Sequence, residues 1–577
     1  MKQLMTGNEA IAQGAWEAGV HVVAAYPGTP STEITENAAK YEELYAEWAP
    51  NEKVAMEVGI GAAIGGGRAL VCMKHVGVNV AMDPLMTVAF SGINGGLVFV
   101  SADDPGMHSS QNEQDNRKLG EFAKIPVLEP SDSQECLEFT KVAFTISETF
   151  DTPVMLRLTT RVAHSQSLVE KGQREEREPK PYEKNPQKYV MIPAHARPRH
   201  QEAEARLEKL AEYAETSTLN RMEINDTSIG VIASGIVYEY VKEALPDASV
   251  LKLGLSNPLP KKLLADFAAK VDKVYVIEEL DSVTEDKCRA MGMEVVGKEV
   301  FSRCGEIFPE IIAEKLLGKK QEIPYCYEGN LPMRPPVLCA GCPHRGTFHA
   351  LKRVKANVIG DIGCYTLGCL PPLQSVDTTI CMGAGIGMTI GMEKVRGKEF
   401  AKQTVSVIGD STFIHSGITG LVDMVYNKGI GTCVILDNSI TAMTGHQQNP
   451  LTGRTVKGEP TKAINLEALI HGIGIERVTV VDPFDVDGTV KVLKEEMAAE
   501  EPSVIIARRP CELLLKESRP ALYIDADRCM KCKRCLKIGC PAIENTGDVP
   551  IIHGDQCVGC GLCVNICPHN VIRKEGE

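Results

Sequence analysis

The sequence predicts an α/β protein: several doubly wound parallel-sheet domains, then a small, cysteine-rich α+β domain. Three observations carry this. Short apolar runs ending in glycine- or proline-rich loops recur along the first 515 residues, with helical stretches between them. Glycine is dense after residue 326. Eight of the 20 cysteines fall in the last 50 residues, in two short runs.

The elements follow in order. Residues 20–27, 69–73 and 96–101 read as buried strands of one α/β unit spanning 1–165. Residues 166–224 carry Pro179, Pro181, Pro186, Pro193 and Pro198 among many charges, then a charged helix over about 201–216; this reads as a connector. Residues 225–325 resume the α/β pattern, with strands at 228–235 and 274–279, and show no chemical constellation. Residues 326–515 form a further α/β unit, and 516–577 the cysteine-rich tail.

Composition bounds the function. The chain has 577 residues, 62 Lys and Arg against 76 Asp and Glu, and a formal charge of -14. That argues against nucleic acid as a partner, which calls for a basic surface. No run of about 20 apolar residues is free of charge, so no membrane span is expected. The N-terminus lacks an apolar signal core, and a cytoplasmic location is expected. Twenty cysteines in a reducing compartment point to metal or redox chemistry rather than disulfides.

The first cysteine run is Cys529, Cys532, Cys535 and Cys540-Pro541; the second is Cys557, Cys560, Cys563 and Cys567-Pro568. The spacing matches a bacterial two-cluster ferredoxin, in which three thiolates of one run hold a cubane and the fourth comes from the other run. Cys529, Cys532, Cys535 and Cys567 are thus assigned to one [4Fe-4S] cluster, and Cys557, Cys560, Cys563 and Cys540 to the other. Zinc ribbons use two CxxC pairs instead. The first run departs by one residue: four residues, 536–539, precede its last cysteine.

An apolar strand ends at Gly409-Asp410-Ser411, and a second ends before Asn438, 28 positions after Asp410. Polar oxygens at the carboxyl ends of adjacent parallel strands mark a ligand site. The pair resembles the Gly-Asp-Gly…Asn motif of thiamine-diphosphate enzymes, with Ser411 in place of the last glycine. Mg²⁺ wants hard oxygen ligands, and Asp410, Asn438 and the carbonyl of Ile440 offer three. Gly383, Ala384 and Gly445 lie in glycine-rich turns where backbone can approach the cofactor.

Tyr26-Pro27-Gly28-Thr29-Pro30-Ser31, Cys339-Ala340-Gly341-Cys342-Pro343-His344 and Gly360-Asp361-Ile362-Gly363-Cys364-Tyr365 resemble motifs of the 2-oxoacid:ferredoxin oxidoreductases. With the domain order and the stretch Asp103-Asp104-Pro105-Gly106-Met107-His108, the whole chain resembles the large subunit of the members that act on arylpyruvates such as indolepyruvate. The resemblance implies domains of the thiamine-diphosphate-enzyme type: pyrimidine-binding (1–165), transketolase C-terminal-like (225–325) and diphosphate-binding (326–515), with a ferredoxin-like tail. It implies oxidative decarboxylation with CoA as co-substrate, electrons passing through the clusters to ferredoxin. A smaller beta subunit and a dimer of heterodimers are implied partners. Glu57 matches the family's catalytic glutamate, Thr29 its substrate loop, and His108 is a polar candidate near the reacting carbon. Cys339, Cys342 and Cys364 are candidate ligands of a third cluster, with Cys369, Cys381, Cys433 and Cys511 all open as the fourth. The same chemistry on pyruvate or 2-oxoglutarate, a non-oxidative decarboxylase, and a non-catalytic iron–sulfur electron-transfer subunit are the alternatives.

Overall fold

The structure, a computed structural model, describes residues 2–320 and 329–574. It divides into two compact units, residues 1–328 and 329–577. The boundary expected at 325/326 lies outside the described residues.

The first unit is built on a seven-stranded sheet. Its order is Leu255–Asn257, Val127–Leu128, Val154–Thr159, Leu97–Asp103, Ala69–Lys74, Val22–Ala25, Tyr45–Trp48. All neighbours are parallel except the Leu255–Asn257 edge. The central strands are buried along nearly their whole length, which is why they read as continuous apolar runs. Helices Glu52–Ile64 and His75–Ser91 cover one face through Ala55, Met56, Ala63, Val78, Ala81 and Leu85. Every parallel strand therefore delivers its carboxyl end to one rim. There lie the loop from Tyr26 to Ser31, the Lys74-His75 step and the loop from Asp103 to Asp115.

The segment expected as a separate middle domain has its own five-stranded sheet, ordered Val295–Val296, Val274–Ile277, Asp226–Ala233, Ala248–Lys252, Arg221–Glu223. The chain then leaves that sheet, and Leu255–Asn257 becomes an edge strand of the first. A buried ion pair binds the two sheets further: Arg117 reaches Glu278 at 2.7 Å and the carbonyl of Glu279 at 3.1 Å. Within the first sheet, Arg157 holds Asp103 at 2.7 Å and Glu129. Breaking one partner of such a pair strands a buried charge, so the two parts are joined strongly.

The expected connector is more ordered than its prolines suggest. Gln166–Glu170 pairs antiparallel with Lys2–Thr6. The charged helix begins at Pro193, not near 201, and runs 24 residues to Thr216. Pro193 sits in the first turn, where a missing N–H costs nothing. Arg199 and Arg206 donate to the carbonyls of Ala89, Phe90 and Ser91, the last turn of His75–Ser91. Those carbonyls have no partner within their own helix, and the negative end of its dipole favours a cation.

The second unit holds a five-stranded, all-parallel sheet ordered Asn357–Ile359, Thr404–Gly409, Thr432–Asp437, Ser503–Arg508, Arg477–Val481. The tail adds two antiparallel pairs, Leu522–Ile524 with Ile572–Lys574 and Ile543–Glu544 with Ile551–Ile552. Leu522, Ile538, Leu562 and Ile572 of the tail share one apolar core with Phe348, Leu351, Val405 and Phe484. No helix among the described residues is long and apolar enough to cross a membrane.

Candidate active site

At the diphosphate end, Thr404–Gly409 and Thr432–Asp437 pair in register, Gly409 opposite Leu436. Their carboxyl ends thus bring Asp410 and Asn438 to one edge. The two loops are tied where Thr441 Oγ1 donates to Ser411 Oγ at 3.0 Å. Asp410, Asn438 and Ile440 are all buried. Ser411 N donates to Asp410 Oδ1 at 2.8 Å, while Oδ2 has no hydrogen-bond partner. Burial, and next the nearby Asp437 carboxylate, push Asp410 up to about 8. A buried carboxylate oxygen without a donor is costly unless a cation meets it. The donor set therefore fits a divalent, oxygen-seeking ion.

Gly383 precedes the 13-residue helix Ala384–Arg396 with φ +82°, and a Cβ there would fall 2.3 Å from Ser416 Oγ. Its amide donates to Asp361 Oδ1 at 2.9 Å, and Ala384 N donates to the Cys381 carbonyl at 3.2 Å. Both amides thus hold the turn itself, and the following first-turn amides face forward from a helix N-terminus, which favours phosphate. Gly409 lets Tyr365 approach: a Cβ would meet its ring at 2.7 Å. Tyr365 in turn donates to Asp361 Oδ2 at 3.2 Å. Gly445 has φ +121° and faces Gln447.

In the tail, one cavity is lined by Cys540, Cys557, Cys560 and Cys563 together with Ala340, Gly341, Arg345 and Ile538. Those four thiols come from both runs, the fourth crossing over as the spacing requires. Burial raises the Cys560 thiol, and after it the charges of Cys540 and Cys557. Cys535 is likewise raised by burial, with Cys567 and Cys529 as its charged neighbours.

A further set of cysteines lies before the tail. Burial pushes Cys342 up to about 12, with Cys364 and Cys339 adding to the rise. Cys364 is pushed up to about 11 by burial, then by Cys511 and Cys339. Cys511 is raised by burial and feels both Cys339 and Asp410. Of the four cysteines left open as a fourth partner, Cys511 is thus the one whose charge bears on Cys364 and Cys339. Cys369 and Cys381 are exposed, and Cys433 is buried within a strand of the sheet. Sequence reasoning left the choice open because Cys511 lies 147 positions after Cys364; only the register of Ser503–Arg508 beside Thr432–Asp437 brings it back.

At the rim of the first unit, Glu57 is corrected. Its side chain is 47% exposed and pairs with Lys53 at 2.8 Å, one turn away. The helix buries Glu52, Ala55, Met56, Gly59 and Ala63, a stripe at helical spacing that Glu57 does not join. Glu52, missed from sequence, is 5% exposed and lies against Gly77, where a Cβ would stand 2.7 Å from its Oε1. Asn51 caps the helix by accepting from Val54 N at 2.9 Å and so fixes the helix start beside it. The signal was there: an Asn cap followed at once by a carboxylate.

Thr29 is half-buried in the 26–31 loop, and its carbonyl accepts from Ser109 Oγ at 3.4 Å. Gly28 packs on Lys74, whose Nζ donates to the Ser109 carbonyl at 3.0 Å. Burial pulls Lys74 down to about 8, against the opposing pull of Asp104 and Glu52. His108 is corrected in its surroundings: its Nε2 contacts Glu306 Oε2 at 2.9 Å, and Arg161 grips the same carboxylate at 2.6 and 2.8 Å. It tethers the 104–112 loop to Glu306.

Known families match these parts. The pyruvate flavodoxin/ferredoxin oxidoreductase thiamine diphosphate-binding domain matches residues 13–223, the C-terminal TPP binding domain of thiamine pyrophosphate enzymes matches 361–507, and a 4Fe-4S binding domain matches 550–573. A 2-oxoglutarate:ferredoxin oxidoreductase structure from Magnetococcus marinus aligns with TM-score 0.46 and 17% identity over 55% of this chain and 65% of that one. The indolepyruvate oxidoreductase subunit IorA of Archaeoglobus fulgidus is 42% identical over 99% of this chain and 97% of its own length. The Pyrococcus horikoshii subunit of the same name is 42% identical over 100% and 98%. With thiamine and iron–sulfur domains in this order and relatives matched end to end, the chain belongs to the IorA family of thiamine-dependent 2-oxoacid:ferredoxin oxidoreductase subunits.

Proposed function

We propose that this chain is the catalytic subunit that oxidatively decarboxylates arylpyruvates, indolepyruvate among them, with CoA, releasing CO₂ and an aryl-acetyl-CoA. Electrons leave through [4Fe-4S] clusters to ferredoxin. The observation that carries this is the place of Cys511. Its amide donates to the Asn438 carbonyl at 2.9 Å and its thiol bears electrostatically on Cys364 and Cys339, which supports a redox centre beside the diphosphate end.

Thiamine diphosphate supplies an electron sink for the carbanion left when CO₂ departs. The chain's residues bind, orient and exchange protons. Asp410, Asn438 and the Ile440 carbonyl hold Mg²⁺, and the first turn of Ala384–Arg396 takes the diphosphate. Glu52, in place of Glu57, meets the aminopyrimidine ring and moves its proton. Thr29 and Lys74 receive the 2-oxoacid carboxylate. Lys74 suits this because no carboxylate lies within ion-pair distance of it among the described residues, whereas Arg117, Arg157 and Arg161 at the same rim are all paired. Three clusters are held: by Cys529, Cys532, Cys535 and Cys567; by Cys540, Cys557, Cys560 and Cys563; and by Cys339, Cys342, Cys364 and Cys511. The pyrimidine-binding role falls to 1–165 and the diphosphate role to 326–515. A smaller beta subunit completes a dimer of heterodimers in the cytoplasm.

The test is product analysis. The complex is incubated anaerobically with CoA, ferredoxin and indolepyruvate, pyruvate or 2-oxoglutarate in turn. Aryl-acetyl-CoA formed with indolepyruvate and little acyl-CoA from the other two is expected. Preference for pyruvate or 2-oxoglutarate would overturn the substrate, and no acyl-CoA from any acid would overturn the reading.

A further inference from the structure

Arg345 is 3% exposed and spends its donors on the backbone of two different cysteine loops. Its Nε donates to the Cys339 carbonyl at 3.0 Å and its Nη2 to the Leu338 carbonyl. Its Nη1 donates to the Ile538 carbonyl at 3.0 Å and also to that of Gly539. One loop carries Cys339 and Cys342, the other Cys535 and Cys540. Gly539 belongs to the extra length that separates the first cysteine run from ferredoxin spacing. It has φ +64°, and a Cβ there would meet Pro372 at 2.7 Å. The insertion thus turns a carbonyl onto the guanidinium at a place only glycine occupies without strain.

Carbonyls satisfy the hydrogen bonds of Arg345 but not its charge. No carboxylate lies within ion-pair distance of it among the described residues. A buried, unpaired guanidinium is costly. The groups near it that carry negative charge once they ligate metal are cysteines of two sets: it bonds the Cys339 carbonyl beside Cys342, and the charges of Cys342, Cys339, Cys540 and Cys560 act on it. It also lines the cavity shared by Cys540, Cys557, Cys560 and Cys563.

We infer that Arg345 is the shared counter-cation of the Cys339/Cys342/Cys364/Cys511 cluster and the Cys540/Cys557/Cys560/Cys563 cluster, and the polar bridge between their loops. This rests on the three-cluster reading above. Each cluster gains one negative charge when it accepts one electron, and no bond forms or breaks. A fixed cation beside both favours the reduced form of both, raising both potentials together and keeping the transfer between them nearly level. The Cys529/Cys532/Cys535/Cys567 cluster, which contributes no thiol to the cavity that Arg345 lines, serves as an internal control.

The test is an EPR-monitored redox titration of the whole complex with wild-type chain, Arg345→Gln and Arg345→Lys. Iron content and the wild-type spectrum first establish whether three clusters are present; two clusters would sink the three-cluster reading independently of Arg345. With three present, Arg345→Gln is expected to shift two clusters to lower potential and leave the third unmoved, and Arg345→Lys to restore most of the shift. Unchanged potentials in Arg345→Gln, or an equal shift of all three clusters, would overturn the inference. Equal cluster loss in both variants would also overturn it, because it would show that the carbonyl bonds, not the charge, are what matters.

Discussion

The backbone amide of Cys511 donates to the backbone carbonyl of Asn438 at 2.9 Å. One hydrogen bond thus joins the loop after Thr432–Asp437, which carries the proposed Mg²⁺ ligands, to the loop after Ser503–Arg508, which carries the fourth thiol. Neighbouring parallel strands place both loops at the same edge, so the proposed Mg²⁺ ligands and the proposed thiol ligand share one scaffold.

Cys511→Ser is expected to remove one cluster's worth of iron while leaving the tail clusters in place. Electron delivery to ferredoxin falls by roughly 100-fold or more, since a transition-state or transfer interaction of ~3 kcal/mol corresponds to that factor. Iron analysis with EPR checks it. Full iron content in the variant would place the fourth ligand elsewhere.

Glu52→Gln is expected to cut turnover by about 10²- to 10⁴-fold, the usual reach of a positioned proton-transfer group. Glu57→Gln removes only an i,i+4 surface pair and leaves turnover within about twofold. Parallel steady-state assays decide between them; the opposite ranking would return the role to Glu57.

Lys74→Gln is expected to raise the KM for the 2-oxoacid by roughly 10- to 100-fold, the worth of one charge-assisted hydrogen bond. Lys74→Arg recovers part of it, and the KM for CoA does not move. The pH profile carries the same signature. Burial lowers the folded pKa of Lys74 to about 8, so the ammonium is present below that pH and lost above it. In the wild type the 2-oxoacid KM therefore climbs above about pH 8, and in Lys74→Gln this climb disappears. A climb of the same size in the variant would assign it to another group.

Asp410→Asn keeps the shape of the strand end but removes the carboxylate that has one unpartnered oxygen. Mg²⁺-dependent thiamine diphosphate binding, followed by calorimetry, is expected to weaken by at least ~10-fold, with iron content unchanged. Unaltered binding would contradict the assignment of the metal ligand.

Much of this was legible in the residues. The strands flanking Gly409-Asp410 and Asn438 are buried at every position and mostly apolar, and the two cysteine runs carry their spacing in plain view. What was not legible depended on phase or on distance. The choice between Glu52 and Glu57 is a matter of which side of one helix faces inward, and glycines at 59, 61 and 65 blur the apolar stripe that would show it. Cys511 is brought beside Asn438 by sheet register, which no local pattern records. The crossing of Leu255–Asn257 into the first sheet is hidden because a three-residue edge strand has too few positions to show alternation. The start of the helix at Pro193 is hidden because prolines look like breaks, yet this one stands where a helix accepts it.

The most direct test of the central claim is anaerobic reduction of the clusters by substrate alone. The complex, with thiamine diphosphate, Mg²⁺ and CoA, is mixed with indolepyruvate without added ferredoxin, and absorbance near 400 nm (approximate for thiolate-bound iron–sulfur) is followed in wild type and Cys511→Ser. The account predicts prompt bleaching in the wild type and bleaching slowed by orders of magnitude in the variant. Equal bleaching in both would contradict the route through Cys511, and none in the wild type would contradict the link between the thiamine centre and the clusters.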